Sequence, residues 1–127
     1  MTKRILIVDD DDPIRRMLAR ILKLGAEGLE ITEARDGPEA LRLLDEEGPF
    51  DLIVLDHMMP QMSGMEVLQT IRESPDKSEL PVIMLTARAE QNLDSLKRGA
   101  DYFIAKPFEP QELLDSVGQL LGISMQA

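Results

Sequence analysis

The sequence predicts an α/β fold: a doubly wound, parallel five-stranded sheet built from five successive strand–helix units, (βα)5. Two observations carry this. Five short apolar runs recur along the chain, and the stretches between them have helical period. The runs are Ile5–Val8, a mixed Leu29–Ala34, Leu52–Leu55, Val82–Leu85 and Tyr102–Ala105. Their hydrophobicity is continuous, the pattern of strands buried on both faces. Glu30 and Glu33 interrupt the second run, which reads as an edge strand.

The intervening segments place apolar residues on one helical face. Ile14, Met17, Leu18, Ile21 and Leu22 form one stripe, and Leu113, Val117, Leu120 and Leu121 form another near the C-terminus. Shorter helices fit Pro38–Glu46, Gly64–Glu73 and Glu90–Arg98. Pro13, Pro38 and Pro110 suit first-turn positions, and Ser63 followed by Glu66 suits a capping box. Gly25, Gly48 and Gly99 suit helix ends. Strand–helix alternation implies right-handed crossovers with helices on both sheet faces.

At 127 residues the chain is expected to be a single domain over 1–127, with its core at about 3–121. It is 43% hydrophobic and 30% charged, as folded domains are. Acidic residues outnumber basic ones 24 to 14, and no basic stripe is present, so direct contact with nucleic acid is not expected. The absence of Cys excludes disulfide scaffolds, thiolate metal sites and thiol nucleophiles. No apolar run is long enough to span a membrane, and only four apolar residues follow Met1–Arg4, too few for a signal peptide. The expected location is cytoplasmic.

Ligands of open α/β sheets bind beyond the C-terminal ends of the strands. Asp9, Asp10, Asp11 and Asp12 follow the first apolar run. Asp56 follows the third, with His57, Met58, Met59 and Pro60 after it. Thr86 and Ala87 follow the fourth, and Lys106 and Pro107 the fifth. Taken singly these residues have structural readings: a solvated turn for Asp9–Asp12, a helix cap for Thr86, a surface lysine for Lys106. His57, the only histidine, reads as neither ligand nor base, and the eight methionines read as core filler. Jointly, each placed directly after a different strand, they describe one site. Converging carboxylates repel and need a cation. Mg2+ suits because it takes oxygen ligands and is held by one or two carboxylates plus phosphate oxygens. A carboxylate can attack phosphorus to give an aspartyl phosphate, with Lys106 and Thr86 holding the phosphoryl oxygens. Asp56 is the expected acceptor.

With these motifs the chain resembles the response-regulator receiver family of two-component signalling, chemotaxis regulators included. The resemblance rests on Ile-Leu-Ile-Val-Asp9-Asp10, on Asp51-Leu-Ile-Val-Leu-Asp56-His-Met-Met-Pro60 with Gly64, on Leu85-Thr86-Ala87, and on Gly99-Ala-Asp with Lys106-Pro107-Phe108. It implies a flavodoxin-like receiver fold with strand order 2-1-3-4-5. It also implies that Asp56 accepts a phosphoryl group from a histidine kinase or histidine phosphotransfer protein. Mg2+ would be held by Asp9, Asp10, Asp56 and the backbone carbonyl of Met58. The phosphoryl group would be bound by Thr86, the backbone of Ala87, and Lys106. Thr86 and Phe103 would form the switch toward a downstream effector protein or fused output domain, and the peptide bond from Lys106 to Pro107 would be cis. One departure is visible: the interval from Thr86 to Gly99 is shorter than the family usually carries. Leu93 and Leu96 are its only obvious inward residues, so Ala89–Arg98 is expected to be short or loosely ordered, with an altered output face.

Two other functions compete. An aspartyl-phosphate phosphotransferase or phosphatase acting on a small substrate would carry a water-excluding cap, and no predicted loop is long enough. A flavin binder would need a phosphate-cradling loop after the first strand, where four aspartates stand instead.

Overall fold

The computed structural model describes residues 2–87 and 99–125. The helix expected over Glu90–Arg98, and the expectation of a loose Ala89–Arg98, lie outside these residues. The described elements are β1 (Lys3–Val8), α1 (Asp12–Gly25), β2 (Leu29–Ala34), α2 (Gly37–Glu46), β3 (Leu52–Asp56), α3 (Gly64–Glu73), β4 (Val82–Thr86), β5 (Tyr102–Ala105) and α4 (Pro110–Leu121). The strands form one parallel sheet in the order β2-β1-β3-β4-β5, so β2 is an edge strand as its two glutamates suggested.

Why the apolar runs are continuous is visible in the two cores. Successive strand residues point to opposite faces, so each run supplies both sides. Leu6, Val8, Ile53, Leu55, Val82 and Met84 pack against α2 and α3 through Leu43, Leu44, Val67 and Leu68. Ile5, Ile7, Leu52, Val54, Ile83 and Leu85 pack against α1 and α4 through Leu18, Leu22, Leu113 and Val117. Met65, Met84 and Met125 are buried filler, whereas Met17 and Met58 are exposed.

The helix starts follow local chemistry. Asp11 caps α1 by accepting from the Ile14 N–H at 3.1 Å, Asp36 caps α2 through Glu39, and Ser63 and Glu66 form a reciprocal box at α3. Pro13, Pro38 and Pro110 occupy the first turns of α1, α2 and α4. Two details of α1 differ from expectation. Its buried face is Arg15, Leu18, Ala19, Leu22 and Gly25, while Met17 is 48% exposed, since one residue turns the helix by about 100° away from the sheet. Gly25 ends α1 as a helical residue, and the left-handed backbone falls instead to Gly28, at φ 77° in the turn into β2.

Gly64 sets how closely α3 approaches the end of β3. Its N–H donates to the His57 carbonyl at 2.9 Å. A Cβ there would lie 2.4 Å from the Asp56 carbonyl oxygen and 2.9 Å from the His57 Cα, both backbone atoms that cannot yield cheaply. Gly64→Ala is therefore expected to destabilise the protein by about 2 kcal/mol, the cost typical of overpacking. Urea unfolding followed by circular dichroism measures this, and an unchanged midpoint would contradict it.

Candidate functional site

The parallel register brings the ends of β1 and β3 level. Val8 pairs with Leu55, so Asp9 and Asp56 emerge side by side. Continuing the strand alternation, both lie on the face shared with Ile7 and Val54, toward α1 and α4. Asp9 is 1% exposed and Asp56 4%, while Asp10 reaches solvent. One carboxylate oxygen from each of the three lies within 4.8 Å of the others. Lys106, directly after β5, donates from Nζ to Asp56 Oδ1 at 2.9 Å.

Each carboxylate has a different environment. Asp9 Oδ1 accepts from the Asp11 N–H at 2.9 Å, whereas Asp9 Oδ2 is buried with no hydrogen-bond partner. Burial pushes the Asp9 carboxyl up to about 6; the Asp11 N–H opposes the rise, and the nearby Asp56 and Asp10 charges add to it. Asp12, at the exposed start of α1, is held below its ordinary value by the Arg15 guanidinium. A buried, unpartnered carboxylate oxygen beside two further carboxylates is a donor set that suits a small, hard divalent cation.

The other predicted residues surround this cluster at different depths. Thr86 ends β4 fully buried, and its carbonyl accepts from the Lys106 N–H at 2.7 Å. Ala87 follows it and is exposed, as is Met58, two residues beyond Asp56. By strand alternation Thr86 shares the α2/α3 face with Met84, whose register partner is Phe103, and Phe103 packs partly buried against that core. The structure thus brings Asp9, Asp10, Asp56 and Lys106 together at the strand ends, Asp9, Asp56 and Lys106 continuing the α1/α4 face, and sets Thr86 and Phe103 on the other face. The Lys106–Pro107 peptide bond is cis, and so is Gly48–Pro49, which sequence reasoning did not single out. His57 is buried, and its backbone joins two elements: its N–H donates to the Leu85 carbonyl at 2.8 Å and its carbonyl accepts from Gly64. Beyond it, Gln61 adopts φ 69°, and the Met62 N–H closes a tight turn onto the Pro60 carbonyl at 2.7 Å.

Sequence reasoning passed over Arg15. It is 5% exposed, and its guanidinium donates to the Asp9 carbonyl at 3.0 Å and pairs with Glu33 at 2.9 Å and Asp12 at 2.7 Å. The available signal was spacing: Arg15 falls three, four and seven residues before Leu18, Ala19 and Leu22, on the buried face.

Comparison with known proteins agrees with this geometry. The family model for the response regulator receiver domain matches residues 5–118. The chain belongs to the response-regulator receiver family. It is 40% identical over 116 residues to the phosphate regulon transcriptional regulatory protein PhoB of Escherichia coli, covering 90% of this chain and 49% of that one. It is 42% identical over 123 residues to the transcriptional regulatory protein SrrA of Staphylococcus aureus, covering 95% and 48%. The chain thus spans about half the length of these relatives. Among solved structures, the chemotaxis response regulator CheY4 of Vibrio cholerae superposes with a TM-score of 0.85 at 32% identity, covering 94% of this chain and 99% of that one. As a receiver, the chain is a phosphorylation-controlled signalling module with an acidic pocket that could hold a metal ion.

The raised Asp9 pKa has a sign that can be tested without metal. Folded Asp9 holds its proton more tightly than unfolded Asp9. Its contribution to stability is therefore full below the ordinary value of 3.8 and is lost as pH rises through about 6. The shift corresponds to at most about 3 kcal/mol. Urea unfolding of metal-free protein should show the stability of Asp9→Asn gaining on wild type as pH rises through this window. A constant difference would contradict the assignment.

Proposed function

We propose that Asp56 is the phosphoacceptor and that the acidic pocket takes Mg2+. The observation that carries this reading is the buried Asp56 carboxylate, with Lys106 on Oδ1 at 2.9 Å and Asp9 and Asp10 oxygens within 4.8 Å. With Oδ1 held by Lys106, Oδ2 is the oxygen available to attack phosphorus. A new O–P bond forms as the bond from phosphorus to the donor breaks, and the donor leaves with the electron pair. Lys106 pairs with Asp56 at 2.9 Å and would offset the charge on the incoming phosphoryl oxygens. The Ala87 N–H and the Thr86 hydroxyl, at the end of β4, would bind those oxygens. Asp9, Asp10, Asp56 and the Met58 carbonyl would hold Mg2+, which when bound supplies the positive charge that lets a phosphoryl group approach three carboxylates.

The donor in this reading is a histidine kinase or a histidine phosphotransfer protein. Drawing the Thr86 hydroxyl toward a phosphoryl group would free room on the α2/α3 face beside Phe103, and this pair would carry the change to a downstream effector protein or fused output domain. The relatives named transcriptional regulatory proteins are about twice this length, which supports a fused output in a longer chain. The expectation of no direct nucleic-acid contact concerns these residues alone. Beyond accepting phosphoryl groups, the chemistry of the chain would extend to self-phosphorylation from small donors and self-dephosphorylation. An enzyme acting on a small substrate finds no support in the family match. A cavity of about 320 Å³, lined by Leu44, Phe50 and Leu80, lies at the opposite end of β3 and β4 from the carboxylates. No helix among the described residues is long and apolar enough to cross a membrane. A cytoplasmic location fits the partners proposed.

Two outcomes test the reading. Acetyl phosphate with Mg2+ should phosphorylate wild type, as read by intact mass, while omission of Mg2+ or Asp56→Asn should abolish the product. An Asp56→Asn variant labelled as well as wild type would overturn the acceptor. Separately, a cation bound only by the folded state stabilises it by mass action, about 1.4 kcal/mol at ten times its dissociation constant. Thermal unfolding should shift upward with Mg2+ accordingly, and an unmoved transition would overturn the metal assignment.

A further inference from the structure

We propose that Arg15 is a positioning residue of the metal site, whose buried guanidinium holds the turn between β1 and α1 in the shape that sets Asp9 and Asp10 against Asp56. The inference rests on the reading of the acidic pocket as a Mg2+ site.

Arg15 uses its donors on three segments at once. Nη1 reaches the Asp9 carbonyl at 3.0 Å, Nε reaches Glu33 Oε1 on β2 at 2.9 Å, and Nη2 reaches Asp12 Oδ1 at 2.7 Å. The first contact matters most for the site. The Asp9 carbonyl and the Asp10 nitrogen belong to one rigid peptide plane, so fixing that oxygen fixes the direction in which Asp10 leaves the strand. The other side of Asp9 is fixed independently, since its N–H donates to the Ala34 carbonyl at 3.2 Å. Its Oδ1 is tied to the Asp11 N–H, which leaves Oδ2 buried and unpartnered. Arg15 therefore orients two of the three carboxylates without touching a carboxylate oxygen of either.

Charge reinforces the geometry. Asp9, Asp10, Asp11 and Asp12 are consecutive and would spread apart if the turn were free. A guanidinium beneath the turn, itself satisfied by Glu33 and Asp12, counters this from inside the protein, while Asp10 stays exposed to solvent. Burying a cation is tolerable because both ion pairs and the carbonyl contact satisfy it. A lysine could not do the same, because an ammonium is a point donor without the planar fork that spans three segments.

The test measures Mg2+ affinity by titration calorimetry on the full chain for wild type, Arg15→Lys, Glu33→Gln and Arg72→Lys. Arg72 ties α3 to the Gly99, Ser78 and Leu80 carbonyls and serves as a control for general destabilisation away from the turn. Arg15→Lys should weaken Mg2+ binding about tenfold or more, the usual cost of removing a group that orients a metal ligand. Glu33→Gln, which loosens the guanidinium from the far side, should weaken it in the same direction by less. Arg72→Lys should lower the melting temperature and leave the affinity unchanged. Phosphorylation of Arg15→Lys by acetyl phosphate should recover the wild-type rate once Mg2+ saturates. If wild type itself binds no Mg2+, the metal reading fails. If wild type binds and both Arg15→Lys and Glu33→Gln bind equally well, the positioning role alone is overturned. It is also overturned if the rate deficit of Arg15→Lys persists at saturating Mg2+. Should Arg15→Lys not fold, Glu33→Gln decides the question by the same criterion.

Discussion

Three carboxylates held within 4.8 Å of one another repel, and most of this molecule can be understood as the framework that keeps them there. Asp9 and Asp56 cannot retreat, because Asp9 follows and Asp56 ends a strand whose neighbouring residues are buried on both faces. The parallel register of β1 and β3 makes them neighbours, and the packing of α1, α2, α3 and α4 makes that register rigid. Local compensation is small by comparison: one ammonium on Asp56, one backbone N–H on Asp9, and a guanidinium beneath the turn. The cost that remains is visible in the upward pull on the Asp9 carboxyl, due first to burial and then to the neighbouring Asp56 and Asp10 charges, and in its unpartnered oxygen. That residue of unfavourable energy is what a bound cation would relieve.

The alternation of side chains along the strands divides the labour. Asp9, Asp56 and Lys106 continue the face covered by α1 and α4, while Thr86 and Phe103 continue the face covered by α2 and α3. In the proposed reading, a group bound at the C-terminal ends of the strands would be sensed on one side of the sheet and read on the other. Thr86 links the two sides structurally, since it is fully buried and its carbonyl is bonded to the Lys106 backbone. The close seat of α3, permitted by the bare Cα of Gly64, brings a second element against the backbone of Asp56 and His57. Any change at Asp56 is therefore made in contact with the framework and not on a detached loop.

What the sequence determined by itself was the set of described strands and helices and which polar residues stand at their ends. Continuous apolar runs, the helical stripes and the proline and serine starts yielded the strands and helices. Asp9, Asp10, Asp56, Thr86 and Lys106 were identified because each directly follows a run, and position after a strand is a one-dimensional fact. The tertiary structure alone decided which of these residues meet and what supports them. Sheet order and register are non-local, so the pairing of Val8 with Leu55 could not be read from either run. The role of Arg15 was hidden for the same reason: in sequence a charge on a helix reads as solvated, and only the approach of β2 with Glu33 and of the Asp9 carbonyl turns it inward. Met17 erred in the opposite direction, because an apolar residue at helical spacing is buried only if a neighbouring element faces it. Local chemistry follows from local sequence, whereas burial and proximity depend on which distant segment the chain has brought alongside.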